Sequence, residues 1–273
     1  MIALAIGAVV GLVLGLTGAG GSLLAVPLLV LGLSLAPAEA TGLALGVVAV
    51  SSAWGLLGRL RNRQVVYLPA LVLGVTGVLF APAGRWLANQ VPDTVLLYGF
   101  ALLVLVVATR MWRQSQRAPG EAMVTRAQSS TQALTEREQA MCRFSPSGNL
   151  ELKPRCVSSM VAGGVFAGLL SGLFGVGGGF VIVPLLTLLT GLSMSAAVAT
   201  SLAVIAPVSL AGFGSFLWLG GDVPMDLLGW LAAGGILGML VGSQLAGRLA
   251  GPVLQKVFVV VMVSLTLVTL VKV

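Results

Sequence analysis

The sequence predicts an all-α polytopic membrane protein made of two homologous halves, and three observations carry that expectation. Of 273 residues, 58% are hydrophobic and only 8% charged, against roughly 25% charged in a soluble globular domain. So few charges cannot cover a soluble fold of this size while its apolar side chains stay hidden. Composition therefore excludes a soluble enzyme, a nucleic-acid-binding domain and a disordered chain. The second observation is a series of apolar stretches long enough for a hydrocarbon core of roughly 30 Å. The third is an internal repeat, the clearest feature of the chain.

Gly11 to Leu29 aligns with Gly168 to Leu186 at a shift of 157 and matches at 11 of 19 positions. The matches include Gly11, Gly15, Gly18, Gly20, Gly21 and Pro27 with Gly168, Gly172, Gly175, Gly177, Gly178 and Pro184. After a two-residue insertion, Leu33 to Leu45 aligns with Leu192 to Val204 at a shift of 159, with 7 of 13 matches, among them Thr41 with Thr200. Each half then reads alike. An apolar stretch broken by glycines comes first, over 4–33 and 157–192, followed by a long helix near 38–58 and 195–219. Two further spans follow at 66–84 and 94–110, and at 226–245 and 253–271. After the glycines only about eleven apolar residues remain, enough for roughly half the bilayer at 1.5 Å per residue. The Gly-rich turn is thus expected inside the membrane. Interrupted segments at matching places in two repeats are the best sequence pointer to a transport site.

The expected organisation is a first transmembrane repeat over 1–110, a basic cytoplasmic linker over 111–156 and a second repeat over 157–273. Residues 110–155 hold 12 of the charges, a concentration that reads as a topology signal and a solvated tether. The loop with Arg59, Arg61 and Arg63 is basic, whereas its counterpart with Asp222 and Asp226 is acidic. By the positive-inside rule the two loops face opposite sides, so the repeats are expected to be inverted. Inversion needs an odd number of crossings per half: the broken segment enters and returns on one side while three helices cross. Four full crossings per half, with parallel repeats, is the competing arrangement. No cleaved signal peptide is expected at the N-terminus.

The chain has no histidine, which removes the usual general base and the commonest metal ligand. No catalytic residue, metal site or cofactor is expected. Cys142 and Cys156 lie in the linker and are expected as unpaired thiols, with a reversible pair or weak metal clip as the alternative. Trp54, Trp86, Trp112, Trp218 and Trp230 read as interfacial anchors. The Gly84-Arg85 and Gly247-Arg248 pairs occupy matching positions and read as flank charges that snorkel, with an anion-attracting vestibule as the alternative.

The doubled pattern Gly168-x-x-x-Gly172-x-x-Gly175-x-Gly177-Gly178-Gly179-x-x-x-x-Pro184-Leu-Leu and Gly11-x-x-x-Gly15-x-x-Gly18-x-Gly20-Gly21-Ser22-x-x-x-x-Pro27-Leu-Leu, each followed by Ala-Thr-Ser/Gly-Leu, resembles the TauE/SafE-type sulfite exporters, also called the 4-toluene sulfonate uptake permease family. The resemblance covers nearly all of the chain outside the linker. It implies a multi-pass inner-membrane transporter for sulfite, sulfonates or related sulfur oxyanions, often outward. Ser22 departs from Gly179 of the second copy.

Physical chemistry supplies a matching reading. Glycines leave backbone N–H groups uncovered, and a half-helix starting after them points its positive end into the membrane. The residues expected to bind the anion are Thr17, Gly18, Gly20, Gly21, Ser22 and Thr41, with Gly175, Gly177, Gly178, Gly179, Thr200 and Ser201 from the second copy. Pro27 and Pro184 are expected as structural breaks that fix the half-helices. Gly11-Gly15 and Gly168-Gly172 are assigned to close helix packing. Glu39 is the one acidic candidate for coupling; complementing the helix dipole is its other reading. The expected function is export of sulfite or organosulfonates by alternating access, with uptake of thiosulfate or an organosulfonate, or a channel-like anion pore, as alternatives. The expected partners are a small anionic substrate and the lipid bilayer, with a homo-oligomer left open and nucleic acid excluded.

Overall fold

A computed structural model describes residues 1–18, 21–61, 65–117, 154–190, 192, 194–221, 223–249 and 252–272. The first half contributes α1 (Ile2–Thr17), α2 (Gly21–Leu33), α3 (Pro37–Arg61), α4 (Tyr67–Gln90) and α5 (Asp93–Arg117). The second contributes α6 (Pro154–Phe174), α7 (Gly179–Thr190), α8 (Met194–Trp218), α9 (Met225–Leu249) and α10 (Pro252–Lys272). Every described element is helical. Among the described residues, five helices, α3, α4, α6, α8 and α9, are long and apolar enough to cross a bilayer. Helices α2 and α7, with 13 and 12 residues, reach only about 20 Å. Helix α5 runs on to Arg117 and α6 begins at Pro154, so both enter the expected 111–156 linker by a few residues.

The two halves interlock. In α1, a Cβ at Gly7, Gly11 or Gly15 would strike the carbonyls of Leu231, Gly235 and Met239 in α9. In α6, Gly164, Gly168 and Gly172 meet Leu73, Gly77 and Ala81 of α4 in the same way. Contacts that advance together along both chains mean that each pair is parallel. The glycine stripes let the backbones touch, which is what holds apolar helices together where no water drives them to associate. Helices α3 and α8 fill the centre: 67% of the apolar window of each is buried, against 33% for α4 and α9. Gly42 packs on Phe216 and Gly46 on Phe213, so α3 and α8 are antiparallel.

The remaining directions follow. Gly46 meets Leu228 and Gly55 meets Met239, which makes α3 parallel to α9. Gly77 meets Val208, and the Val66 N–H donates to Thr200 Oγ1 at 3.1 Å, which makes α4 parallel to α8. Helices α1, α3 and α9 thus run one way and α4, α6 and α8 the other, so equivalent helices of the two halves point in opposite directions. Helix α2 turns back along α1, with Gly21 against Val10 and Leu14 and Gly32 against Ile6. Helix α7 does the same along α6, with Gly178 against Ala167 and Gly163 against Leu185. Each broken segment is a helical hairpin. Phe100 of α5 lies on Phe174 at the end of α6, ring centroids 6.2 Å apart, which places the start of α5 at the same end as Thr41.

Two sequence expectations need correction. Helices α3 and α8 begin at residues 37 and 194, a separation of 157, and Gly175 faces Thr41 as Gly18 faces Val198. The register continues without the two-residue insertion, so Thr41 is the spatial counterpart of Val198 rather than of Thr200. Pro27 and Pro184 are not breaks either, because α2 and α7 run through them. The chain breaks earlier, at Gly18 and Gly175, whose φ of 71° and 70° lie in the left-handed region open to glycine. Each helix loses one hydrogen bond at its proline and keeps its course.

Candidate functional site

Each hairpin turn carries its own polar groups. Gly175 caps α6, its N–H donating to Ser171 O at 2.9 Å, and the chain turns through Gly177 and Gly178, both at φ 67°. The whole turn from Gly175 to Gly179 is buried. Val181 and Ile182 N–H groups both donate to Gly178 O. The N–H groups of Gly177, Gly178 and Phe180 meet no backbone acceptor among the described residues. Gly175 packs on Thr41 and Gly177 on Val48, Ile205 and the Ser209 hydroxyl, 2.7 Å from where a Cβ would sit. Ser209 and Ser171 are fully buried, and neither hydroxyl oxygen has a hydrogen-bond partner. A buried orphan hydroxyl costs about 1–3 kcal/mol.

Above this turn lies a charge. Arg85 of α4 is 4% exposed. Its Nη1 donates to Thr41 Oγ1 at 3.0 Å, and Thr41 Oγ1 in turn donates to Ala38 O at 2.7 Å. The guanidinium carbon sits 4.6 Å from the centre of the Phe216 ring. A desolvated cation on an aromatic face gains about 2 kcal/mol, a partial offset for the several kcal/mol that burying an ion costs.

The first-repeat cluster is different. Gly18 N–H donates to Leu14 O at 2.7 Å, and Ser201 Oγ donates to Gly18 O at 3.2 Å and Val198 O at 2.9 Å. Gly21 and Ser22 are buried, Thr17 Oγ1 bonds Val13 O at 2.9 Å, and Gly20 lies outside the described residues. Gly18 stands beside Val198 near the start of α8 and Gly175 beside Thr41 near the start of α3, while Gly177 reaches Val48 and Ile205 at the middles of those helices, and α2 touches α7. Thr200 accepts from Val66 N–H at the start of α4, about 28 Å along that helix from Arg85. Glu39 is exposed on the first turn of α3.

Arg85 corrects the reading of it as a snorkelling flank, because its side chain is buried in the bundle and bonded to Thr41. The expected span stopped near residue 84, whereas α4 continues to Gln90, which carries Arg85 inward. Its counterpart is not Arg248. Gly172 faces the Arg85 N–H and Gly15 the Ser243 N–H, so Ser243, an exposed residue, holds the equivalent place. Register through the glycine stripes would have exposed this; the Gly-Arg dipeptides misled. All five tryptophans are exposed. Cys156 is buried and no longer a free thiol, against the expectation of an unpaired one, and Cys142 lies outside the described residues.

Residues 3–269 match the sulfite exporter TauE/SafE family. The chain belongs to that family. It is therefore a multi-pass membrane protein of a transporter family. A probable membrane transporter protein of Xylella fastidiosa (strain Temecula1) is 30% identical over 96% of this chain and 91% of its own length. Another from Xylella fastidiosa (strain 9a5c) is 28% identical over the same shares. A probable membrane transporter protein of Methanocaldococcus jannaschii is 25% identical over 78% of this chain and 70% of its own. No solved structure matches the chain. The TauE/SafE assignment spans both hairpins and every residue of the clusters described above.

Proposed function

We propose that this TauE/SafE chain is an inner-membrane secondary transporter that exports sulfite or an organosulfonate by alternating access. The observation that supports it best is a guanidinium buried at a glycine turn inside an otherwise apolar bundle. Intramembrane ionisable groups mark substrate paths by default, and this one is positive. Interlocked halves with opposite directions are the architecture in which one part can rock against another around a central site. Purified protein in proteoliposomes should give saturable, trans-stimulated sulfite flux. Non-saturating flux without trans-stimulation would instead mean a pore, and no flux of sulfite, thiosulfate, sulfate or toluenesulfonate would sink the reading.

In the same reading the hairpins α1–α2 and α6–α7 are re-entrant and the repeats inverted in the membrane. Arg59 and Arg61 close α3, and Arg110, Arg113 and Arg117 close α5 at the same end. Glu39 and Asp226 begin helices at the opposite end. By the positive-inside rule the arginine end is cytoplasmic. An alkaline phosphatase fused at Val273 should therefore be active, and one inserted in the 118–153 segment inactive. The reverse result would refute this orientation.

A further inference from the structure

The helices that wall the two hairpins differ in one covalent respect. Helices α4 and α8, which pack on the second hairpin, carry Pro82 and Pro207 well inside their spans. Helices α9 and α3, which pack on the first hairpin in the equivalent way, have no proline past their first residue. The places equivalent to Pro82 and Pro207, at shifts of 158 and 157, hold Leu240 and Val50. All four residues are exposed on the outer surface of the bundle, so the repeat offers the same kind of place on both sides and fills it with proline on one side only. Both prolines also lie where the second hairpin touches its walls. A Cβ at Gly172 of α6 would strike Ala81 O, the carbonyl joined to the Pro82 nitrogen. At the turn, Gly177 faces Ile205 and Ser209, two buried residues that flank Pro207.

Proline has no N–H, so the carbonyls four residues back, those of Val78 and Ala203, lose their helical donors, and each ring presses its carbonyl away. On a lipid-facing side no water replaces the lost bond. A helix has one hydrogen bond fewer to break when it bends at such a place, and the bend opens the proline face and closes the opposite one. In α4 and α8 the opposite face is the one against the hairpin. We propose that α4 and α8 form a clamp around the second hairpin, bending at Pro82 and Pro207 toward and away from α6 and α7, while α3 and α9 hold the first hairpin as a stiff frame. The Ser171 and Ser209 hydroxyls fit a wall that moves: neither is bonded across the contact, so bending breaks no hydrogen bond at either serine. In the transport reading above, on which the clamp's role rests, this bending is the step that covers and exposes the solute path.

Hydrogen exchange followed by mass spectrometry on the purified, detergent-solubilised full chain tests the clamp helix by helix. Amides of 78–86 in α4 and 203–211 in α8 should exchange at least about tenfold faster than those of the equivalent segments, 236–244 in α9 and 46–54 in α3. Pro82→Ala and Pro207→Ala restore the missing N–H. Each should slow exchange in its own helix and lower the maximal rate of sulfite flux in proteoliposomes by about tenfold, at an unchanged half-saturating concentration. Leu240→Ala and Val50→Ala, at the equivalent outward places, should leave the flux as it was. Equal exchange in the paired segments overturns the clamp. Wild-type flux in both folded proline variants also overturns it and leaves the transport reading standing. If either variant fails to fold, the exchange comparison in wild-type protein decides. If the wild-type chain moves no sulfite, thiosulfate, sulfate or toluenesulfonate, the transport reading falls, and unequal exchange in the paired segments still carries the clamp.

Discussion

Gly177→Ala is expected to lose at least about tenfold in anion flux while losing little stability, and Gly178→Ala is expected to do the opposite. Both residues sit at φ 67°, so both substitutions carry the same left-handed strain of about 1–2 kcal/mol. They differ in what the new methyl meets. At Gly177 the nearest atom, 2.7 Å away, is the Ser209 hydroxyl, the far end of a side chain that can rotate aside. The fold absorbs the methyl by turning that hydroxyl aside, which alters the polar lining of the turn that the transport reading places on the substrate path. At Gly178 the nearest atom, 2.8 Å away, is the Ala167 carbonyl oxygen, which is backbone and fixed in α6. Relief there requires moving α7 against α6, adding about 1–3 kcal/mol of overpacking. Melting curves in detergent and initial sulfite flux, measured on both variants, check the crossing pattern. Losses of flux that merely follow losses of stability would show the turn to be a structural hinge without a ligand role.

The fold was legible because the pattern that specifies it is local and repeated. Glycines at Gly11, Gly15, Gly168 and Gly172 mark a helix face that admits another backbone, and the run after Gly18 or Gly175 marks a helix that cannot continue. Neither inference needs knowledge of the partner. The partner itself was not legible: nothing in Gly11 says that it will face Gly235 of the other half rather than a helix of its own. The site suffered from the same blindness. Arg85 follows an apolar stretch and reads as its end, and only the packing of Gly172 against Ala81 and Arg85 shows it to be buried. Ser209 is one hydroxyl among many in apolar helices, where serine ordinarily bonds the preceding turn; that it does not is visible only in three dimensions. Thr41 was found for an incomplete reason. Its match with Thr200 is real in sequence, yet its role follows from standing between Arg85 and Gly175, where Thr200 does not stand.

Gly11→Ala and Gly168→Ala should each destabilise the protein by about 3 kcal/mol or more, and by similar amounts. A Cβ at Gly11 would overlap the Gly235 carbonyl, and one at Gly168 the Gly77 carbonyl. No rotamer relieves a clash between a Cβ and a backbone, so α1 must part from α9, or α6 from α4, along the full stripe. The loss exceeds the usual 1–3 kcal/mol of overpacking, because in lipid the only gain from helix contact is the close packing that is lost. The same substitution in open positions supplies the control. A methyl at Gly74 in α4 or Gly229 in α9 meets nothing within 4 Å, and replacing a helical glycine there should stabilise by up to about 1 kcal/mol. Four alanine variants with one chemistry should thus split into two pairs of opposite sign in their detergent melting temperatures. If Gly11→Ala and Gly168→Ala melt with wild-type protein, the interlocked pairing of the halves is wrong. If only one of them falls, the two interfaces are not equivalent, and the halves are held together by one interface rather than by both.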